Sequence, residues 1–321
     1  MKSIKSILLM SISILILILI VLVGQQGCSN LEGRENATKF PESDQFSKYW
    51  YQGKAELNRY DLEQVRYGEL RKGDAVLIFV TEDFLKNEQV KYEFGDDKSN
   101  VQSVLKLNFN RRFFTGIYPY SLLTSTFLPI RSKQNHALKI SFTAQEWCGH
   151  TFMQLNNRDN KFSVQQNSYF QAEGDKQYVL EQAFLEDEAW PLIRINPALL
   201  PVGKTKVIPS MQYARLFHKE YKIEQATIEK SEMKDANLSS NLLTKYSIRY
   251  DDLPRSLTII FEKEFPHQIL AWQETYDSMS EKGKSSLLIT RAVRTNKMML
   301  DYWSKNSVAD STFRIALGLK Y

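Results

Sequence analysis

The sequence predicts a mainly β protein: a long antiparallel meander forming one large curved sheet or open barrel, with few short helices. Three observations carry this reading. Apolar and polar residues alternate with a period of two along most of the chain. Turn chemistry punctuates the alternating runs. Helical periodicity is scarce.

The elements can be read in order. Residues 75–80 (AVLIFV) form a continuous, β-branched-rich run, the pattern of a strand covered on both faces. Arg71-Lys72-Gly73-Asp74 reads as a turn before it. Leu105, Leu107 and Phe109 alternate with Lys106, Asn108 and Asn110, and Leu138, Ile140 and Phe142 with Lys139, Ser141 and Thr143. Further on, Tyr246, Ile248 and Tyr250 define one strand and Leu257, Ile259 and Phe261 another. Asp251-Asp252-Leu253-Pro254 joins those two as a hairpin. Phe265-Pro266-His267 joins the next pair, and Glu281-Lys282-Gly283-Lys284 another. Residues 180–195 hold a short helix, which Pro191 breaks or starts. About a dozen strands in series must curl or close to hide their edges.

The first segment reads as an export device. Lys2 and Lys5 precede an apolar run over residues 7–23, interrupted only by Ser11 and Ser13. Gly24-Gln25-Gln26-Gly27-Cys28 follows. A basic start, an apolar centre and a small residue before the break describe a secretory signal. Cys28 after Gly27 resembles the lipobox of bacterial lipoproteins, in which the Cys28 thiol carries the lipid and becomes the mature N-terminus. Gln25 and Gln26 stand where that box usually has Leu and a small residue. The alternative is an uncleaved N-terminal helix, at the short end of what spans a bilayer. Either way the chain is tethered to a membrane of the bacterial envelope, periplasmic or at the outer membrane. The expected organisation is residues 1–27 as signal, 28–46 as flexible tether and 47–321 as one β-rich domain.

Composition narrows the function classes. With 42 Lys plus Arg against 37 Asp plus Glu, the net charge is +5, and removing Lys2 and Lys5 with the signal leaves little basic bias. Nucleic acid is therefore not expected as a partner. The chain has 2 Cys, so lipidation of Cys28 leaves Cys148 as a lone thiol and no internal disulfide. The 16 Tyr and 18 Phe either line a cavity for an apolar ligand or fill the core.

No catalytic motif stands out. In Glu146-Trp147-Cys148-Gly149-His150, a Cys and a His two residues apart share a strand face, and a neighbouring imidazole can activate a thiol. Cys148 and His150 are the weak catalytic candidates of an envelope hydrolase or transferase. Against them, Gly149 marks a bulge or turn, and no specific orienting acid is identifiable. His136, His150, His218 and His267 lack metal-ligand spacing, so no metal or cofactor is expected. Glu82-Asp83 point to opposite strand faces, and Glu186-Asp187-Glu188 reads as a solvated acidic face. Arg111-Arg112 beside Phe113-Phe114 reads as an ordinary hairpin or a contact with lipid headgroups or another envelope component.

Several strings carry a resemblance: Tyr49-Trp50-Tyr51-Gln52-Gly53-Lys54-Ala55-Glu56, Arg66-Tyr67-Gly68-Glu69, Phe79-Val80-Thr81-Glu82-Asp83-Phe84, Gly116-Ile117-Tyr118-Pro119-Tyr120-Ser121, Gln145-Glu146-Trp147-Cys148-Gly149-His150 and Tyr302-Trp303-Ser304-Lys305-Asn306. Together they resemble a family of Bacteroidota envelope lipoproteins whose members often bear the label septum formation inhibitor Maf. The strings have no assigned roles, so the resemblance implies location and no site. True Maf proteins are cytoplasmic α/β nucleotide pyrophosphatases with a Ser-x-Ser-Pro-Arg-Arg motif, which this chain lacks, so that activity does not follow. The β architecture is also similar to curved-sheet periplasmic proteins that handle lipoproteins or envelope lipids, a likeness at fold level only. The expected role is non-catalytic: binding or structural, with an apolar ligand or an envelope protein as partner.

Overall fold

The computed structural model describes residues 44–95, 97–131, 136–279 and 285–319. The expected export segment, Cys28 and the expected turn at 281–284 lie outside them. Among the described residues no helix is long and apolar enough to cross a membrane.

Helix α1 (Asp44–Trp50) comes first. The expected tether, residues 28–46, overlaps it at residues 44–46, where Phe46 is buried against Trp50 and Phe265. The first strands are β1 (Ala55–Arg66), β2 (Glu69–Leu85), β3 (Val90–Lys91), β4 (Val101–Thr115) and β5 (Tyr118–Pro129). Then come β6 (Lys139–Glu146), β7 (Gly149–Arg158), β8 (Lys161–Ser168), β9 (Lys176–Glu181) and β10 (Phe184–Leu185). Helix α2 (Glu186–Ile195), β11 (Gly203–Ile208) and helix α3 (Met211–Leu216) follow. The chain continues through β12 (Glu224–Asp235), β13 (Ser239–Tyr250), β14 (Arg255–Glu262), β15 (Ile269–Met279), β16 (Ser285–Leu300) and helix α4 (Ser311–Ala316).

All sixteen strands join one sheet in the order β10-β11-β12-β13-β14-β15-β16-β1-β2-β4-β5-β6-β7-β8-β9, with β3 on β2. Its pairs are antiparallel except β10 with β11, which is parallel. The predicted meander and its hairpins at 251–254 and 265–267 are present. The sheet curls. Strands β4 and β15 lie four steps apart, about 19 Å along a flat sheet, yet the rings of Phe109 and Trp272 are 5.3 Å apart. The edges β9 and β10 are separated by two residues of chain, which holds their ends within about 11 Å. They face one another without pairing, so the barrel stays open.

Residues 75–80 are covered on both faces, as their composition predicts. Ala75, Leu77 and Phe79 point inward, while Val76 and Val80 pack outside against Leu317 behind α4. Arg71-Lys72-Gly73-Asp74 is not a turn but the interior of β2. Gly73 is needed for close approach: a Cβ there would stand 2.1 Å from the Arg112 carbonyl oxygen on β4. The actual turn is Tyr67-Gly68, both at positive φ, which glycine adopts freely.

Helix α2 fills the hollow. All ten of its residues are buried. The expectation of a solvated Glu186-Asp187-Glu188 face is therefore wrong, and the reason is tertiary. Tyr250 donates to Glu186 at 2.6 Å, and Arg255 pairs with the same carboxylate. The Met211 N–H donates to Asp187 at 3.0 Å. Glu188 accepts from the Leu185 N–H at 3.0 Å and from the Ala137 N–H at 2.8 Å, and binds His136 at 2.8 Å. The Leu185 contact is the third-residue half of a capping box. At the other end, Arg194 pairs with Glu56 on β1 at 2.9 Å. Pinned at both ends, the helix runs through Pro191 rather than breaking there.

The aromatic surplus fills this core. Trp190 of α2 meets Phe109 at 5.0 Å and Trp272 at 5.3 Å, edge to face, and Tyr60 meets Trp272 at 4.7 Å. Each such pair contributes about 1 kcal/mol beyond burial. Arg111, expected at a surface hairpin, lies inside and pairs with Glu274 at 2.5 Å. Arg112 points outward to Asp74 at 2.9 Å.

Candidate binding site at the open seam

Cys148 sits exposed in the two-residue turn between β6 and β7, and His150 is exposed two positions later on β7. Among the described residues no hydrogen bond joins them to each other or to an orienting group. Glu146, their acidic neighbour, turns inward and pairs with the buried Arg215 of α3. Among the described residues no group of three His, Cys, Asp or Glu side chains is placed to hold a metal ion. Glu82 pairs with Lys106 at 3.2 Å on the outer face of β2, away from any second carboxylate.

The seam offers more. Strand β9 pairs with β8 on one side, and among the described residues no backbone hydrogen bond ties its other side to a strand. Beside that edge lies a cavity of about 750 Å³, between β9 and the segment 218–221 that leads into β12. Gln166, Glu173, Asp175, Lys176, Tyr178, His218, Lys219 and Tyr221 are among its lining residues. Tyr178 donates to the Tyr221 carbonyl at 3.2 Å, bridging the gap at its floor.

The seam is electrostatically built. His218 and Glu173 are paired at 2.6 Å, and Ser168 donates to the same carboxylate at 2.5 Å. Burial works against the Glu173 charge, but these contacts and Arg215 hold its carboxyl below the usual range. Burial, reinforced by Glu220, pushes the Tyr178 hydroxyl up to about 12, so it remains a hydrogen-bond donor at neutral pH. Arg215 stacks over Phe170 at 4.2 Å, and its Nε and Thr151 Oγ1 are buried without hydrogen-bond partners. His218 itself is held at positive φ. Chemically this is a mixed-charge groove beside a row of free backbone groups. It is suited to hydrogen bonding and lacks an assembled nucleophile.

Sequence reasoning missed these residues. Their only local trace is the mixed aromatic and charged string Phe217-His218-Lys219-Glu220-Tyr221 after a short helix. Which edge stays unpaired is a property of the whole sheet.

Fold and seam define a class: a curled sheet, open along one line, with a helix as its core. No family model matches the chain, and no curated protein matches it. Among solved structures, it is similar to a β-barrel-like protein of the domain of unknown function DUF1849 from Brucella abortus. The TM-score is 0.46 at 10% identity, covering 77% of this chain and 98% of that chain.

Proposed function

We propose that this chain is a membrane-tethered lipoprotein of the bacterial envelope with a non-catalytic role, binding an extended segment of a partner protein at the seam. The free edge of β9 beside the 750 Å³ groove carries this reading. An added strand would take main-chain hydrogen bonds from β9, while the groove selects side chains. The packing favours a protein partner over an apolar ligand, because α2 and its aromatic neighbours occupy the interior. Tethering rests on the basic, apolar and Gly27-Cys28 succession at the start of the sequence.

The test places a photo-cross-linking residue at Val179 on β9, in cells, with Val202 as an equally exposed control. A cross-linked partner from Val179 alone, with β9 amides slowed in hydrogen exchange when it is bound, is expected. Equal yields from both positions would overturn the seam as the binding surface. The mass of the native protein tests the tether separately: a lipid-modified N-terminus at Cys28 or an intact apolar segment is expected, and an unmodified soluble chain contradicts it.

A further inference from the structure

Alternate connections of an up-and-down sheet lie at the same end. The tips after β1, β4, β6 and β8 therefore share one end, opposite to α1, where the chain enters. Each of these tips exposes a large apolar or aromatic side chain. Tyr67 is 50% exposed, Ile117 78%, Trp147 69% and Tyr169 73%.

The tips touch one another. The Tyr118 and Tyr67 hydroxyls are 3.4 Å apart, and the Tyr118 ring stacks on Trp147 at 6.4 Å. A Cβ at Gly149 would stand 2.6 Å from the Tyr169 ring, so that ring lies on the turn next to Trp147. Arg66, buried beneath, donates to the Tyr67 hydroxyl at 3.2 Å and sits over its ring at 4.2 Å. The result is a packed rim of exposed aromatic side chains together with Ile117. Tyr67, Ile117, Trp147 and Tyr169 do not line the seam groove, although the turn that carries Tyr169 also supplies Glu173 and Asp175 to it.

We propose that this rim docks on a lipid surface, its Trp, Tyr and Ile side chains seated at the headgroup boundary. The proposal rests on the membrane-tethered reading above. Trp and Tyr prefer that boundary because one part of each ring is apolar and another bonds water or headgroups. Reach supports a bilayer over a distant partner. Residues 29–43 span at most about 50 Å when extended, and the 12 residues of β1 span about 40 Å. A body tethered at Cys28 can therefore turn its rim onto the same membrane. The charges nearby are mixed, with Glu69 and Asp175 beside Lys72 and Lys176, so docking is carried by the rings and depends weakly on salt.

Cys148, exposed beside Trp147, supplies a native reporter. The full chain carrying Cys28→Ser, which keeps the apolar anchor, is labelled at Cys148 with an environment-sensitive fluorophore and reconstituted into phosphatidylcholine vesicles. Flotation reads the anchoring; emission reads the rim. A blue-shifted emission, quenched by spin-labelled lipid and lost when Ile117 and Trp147 are both changed to Ser, is expected. Those side chains are exposed, so the variant folds. A chain that floats while its label stays water-like and unquenched overturns the rim proposal and leaves the tether standing. A chain that neither floats nor shows a blue shift overturns the rim proposal and the apolar segment as an anchor, while the native mass at Cys28 reads lipid tethering separately. A blue shift without lipid quenching assigns the rim to a protein contact, such as a second copy, and also overturns the proposal.

Discussion

Replacing Arg255 by Met tests the buried charge chain that fixes α2. Arg255 is fully buried, pairs with Glu186 and, at 3.0 Å, with Glu274, and sits over the Tyr213 ring at 4.2 Å. Burial alone would push the Glu274 carboxyl up; Arg111 and then Arg255 bring it down to about 2. Methionine matches the volume but leaves Glu186 uncompensated and Glu274 with Arg111 alone. Breaking a buried pair this way costs about 3–5 kcal/mol. In a fold of this size that lowers the melting temperature by roughly 10 °C. The loss also has a pH signature. With one cation gone, Glu274 takes up its proton at higher pH in the folded state, so the deficit is full at pH 7 and shrinks as pH falls. Adding Glu186→Gln to Arg255→Met removes one stranded charge and recovers a large part of the loss. Urea unfolding of parent, single and double variants at several pH values measures all of this. A loss under about 1 kcal/mol, or one independent of pH, would refute the reasoning.

Other outcomes follow from the same packing. Burial, aided by Glu186, pushes the Asp187 carboxyl up to about 7 against the Met211 N–H, which favours the charged form. A carboxyl raised from 3.8 to about 7 loses stability as pH climbs between those values, by about 4 kcal/mol in all. Asp187→Asn keeps the acceptor for Met211, so thermal unfolding should show it more stable than the parent at pH 8 and equal near pH 4. A deficit at pH 8 would contradict this. Burial opposes the Glu56 charge, but Arg194 brings its carboxyl down to about 2, so its contribution is present above 4.5 and lost as pH falls towards 2. Glu56→Gln should therefore flatten the acid limb of the unfolding curve; an unchanged limb would argue against the Arg194 pairing. Gly73→Ala forces β2 and β4 apart and should cost about 3 kcal/mol or more in urea unfolding, whereas a neutral result would mean the strands are less closely apposed. Cys148→Ser should leave cross-linking from Val179 unchanged, and its loss would return the thiol to the functional site.

Much of the scaffold was legible because a strand writes its burial locally. The alternation at 105–110 and 257–262 identifies inward faces, and 75–80 reads correctly as covered twice. The buried charges of α2 were not legible, nor was the seam, since which edge stays unpaired is a property of the whole sheet. Glu186, Asp187 and Glu188 look solvated because Arg255 lies 69 residues away from Glu186, and the partner of Glu188, His136, lies 52 away. No local charge count sees such pairings. Gly73 looks like a turn because glycine marks both turns and close strand approaches. Pro191 fails as a breaker because ion pairs outside the helix hold both of its ends.

Helix α2 is wholly buried as the core of the curled sheet, and the proposed binding surface lies outside it. Native-state hydrogen exchange across α2, β1 and β4 tests this most directly. Amides of Ala189, Trp190, Leu192 and Ile193 are expected to exchange only through global unfolding, at the rate of the slowest amides in β1 and β4. Exchange of α2 far ahead of those strands would show the helix leaving the hollow while the sheet stays intact, and would contradict the claim.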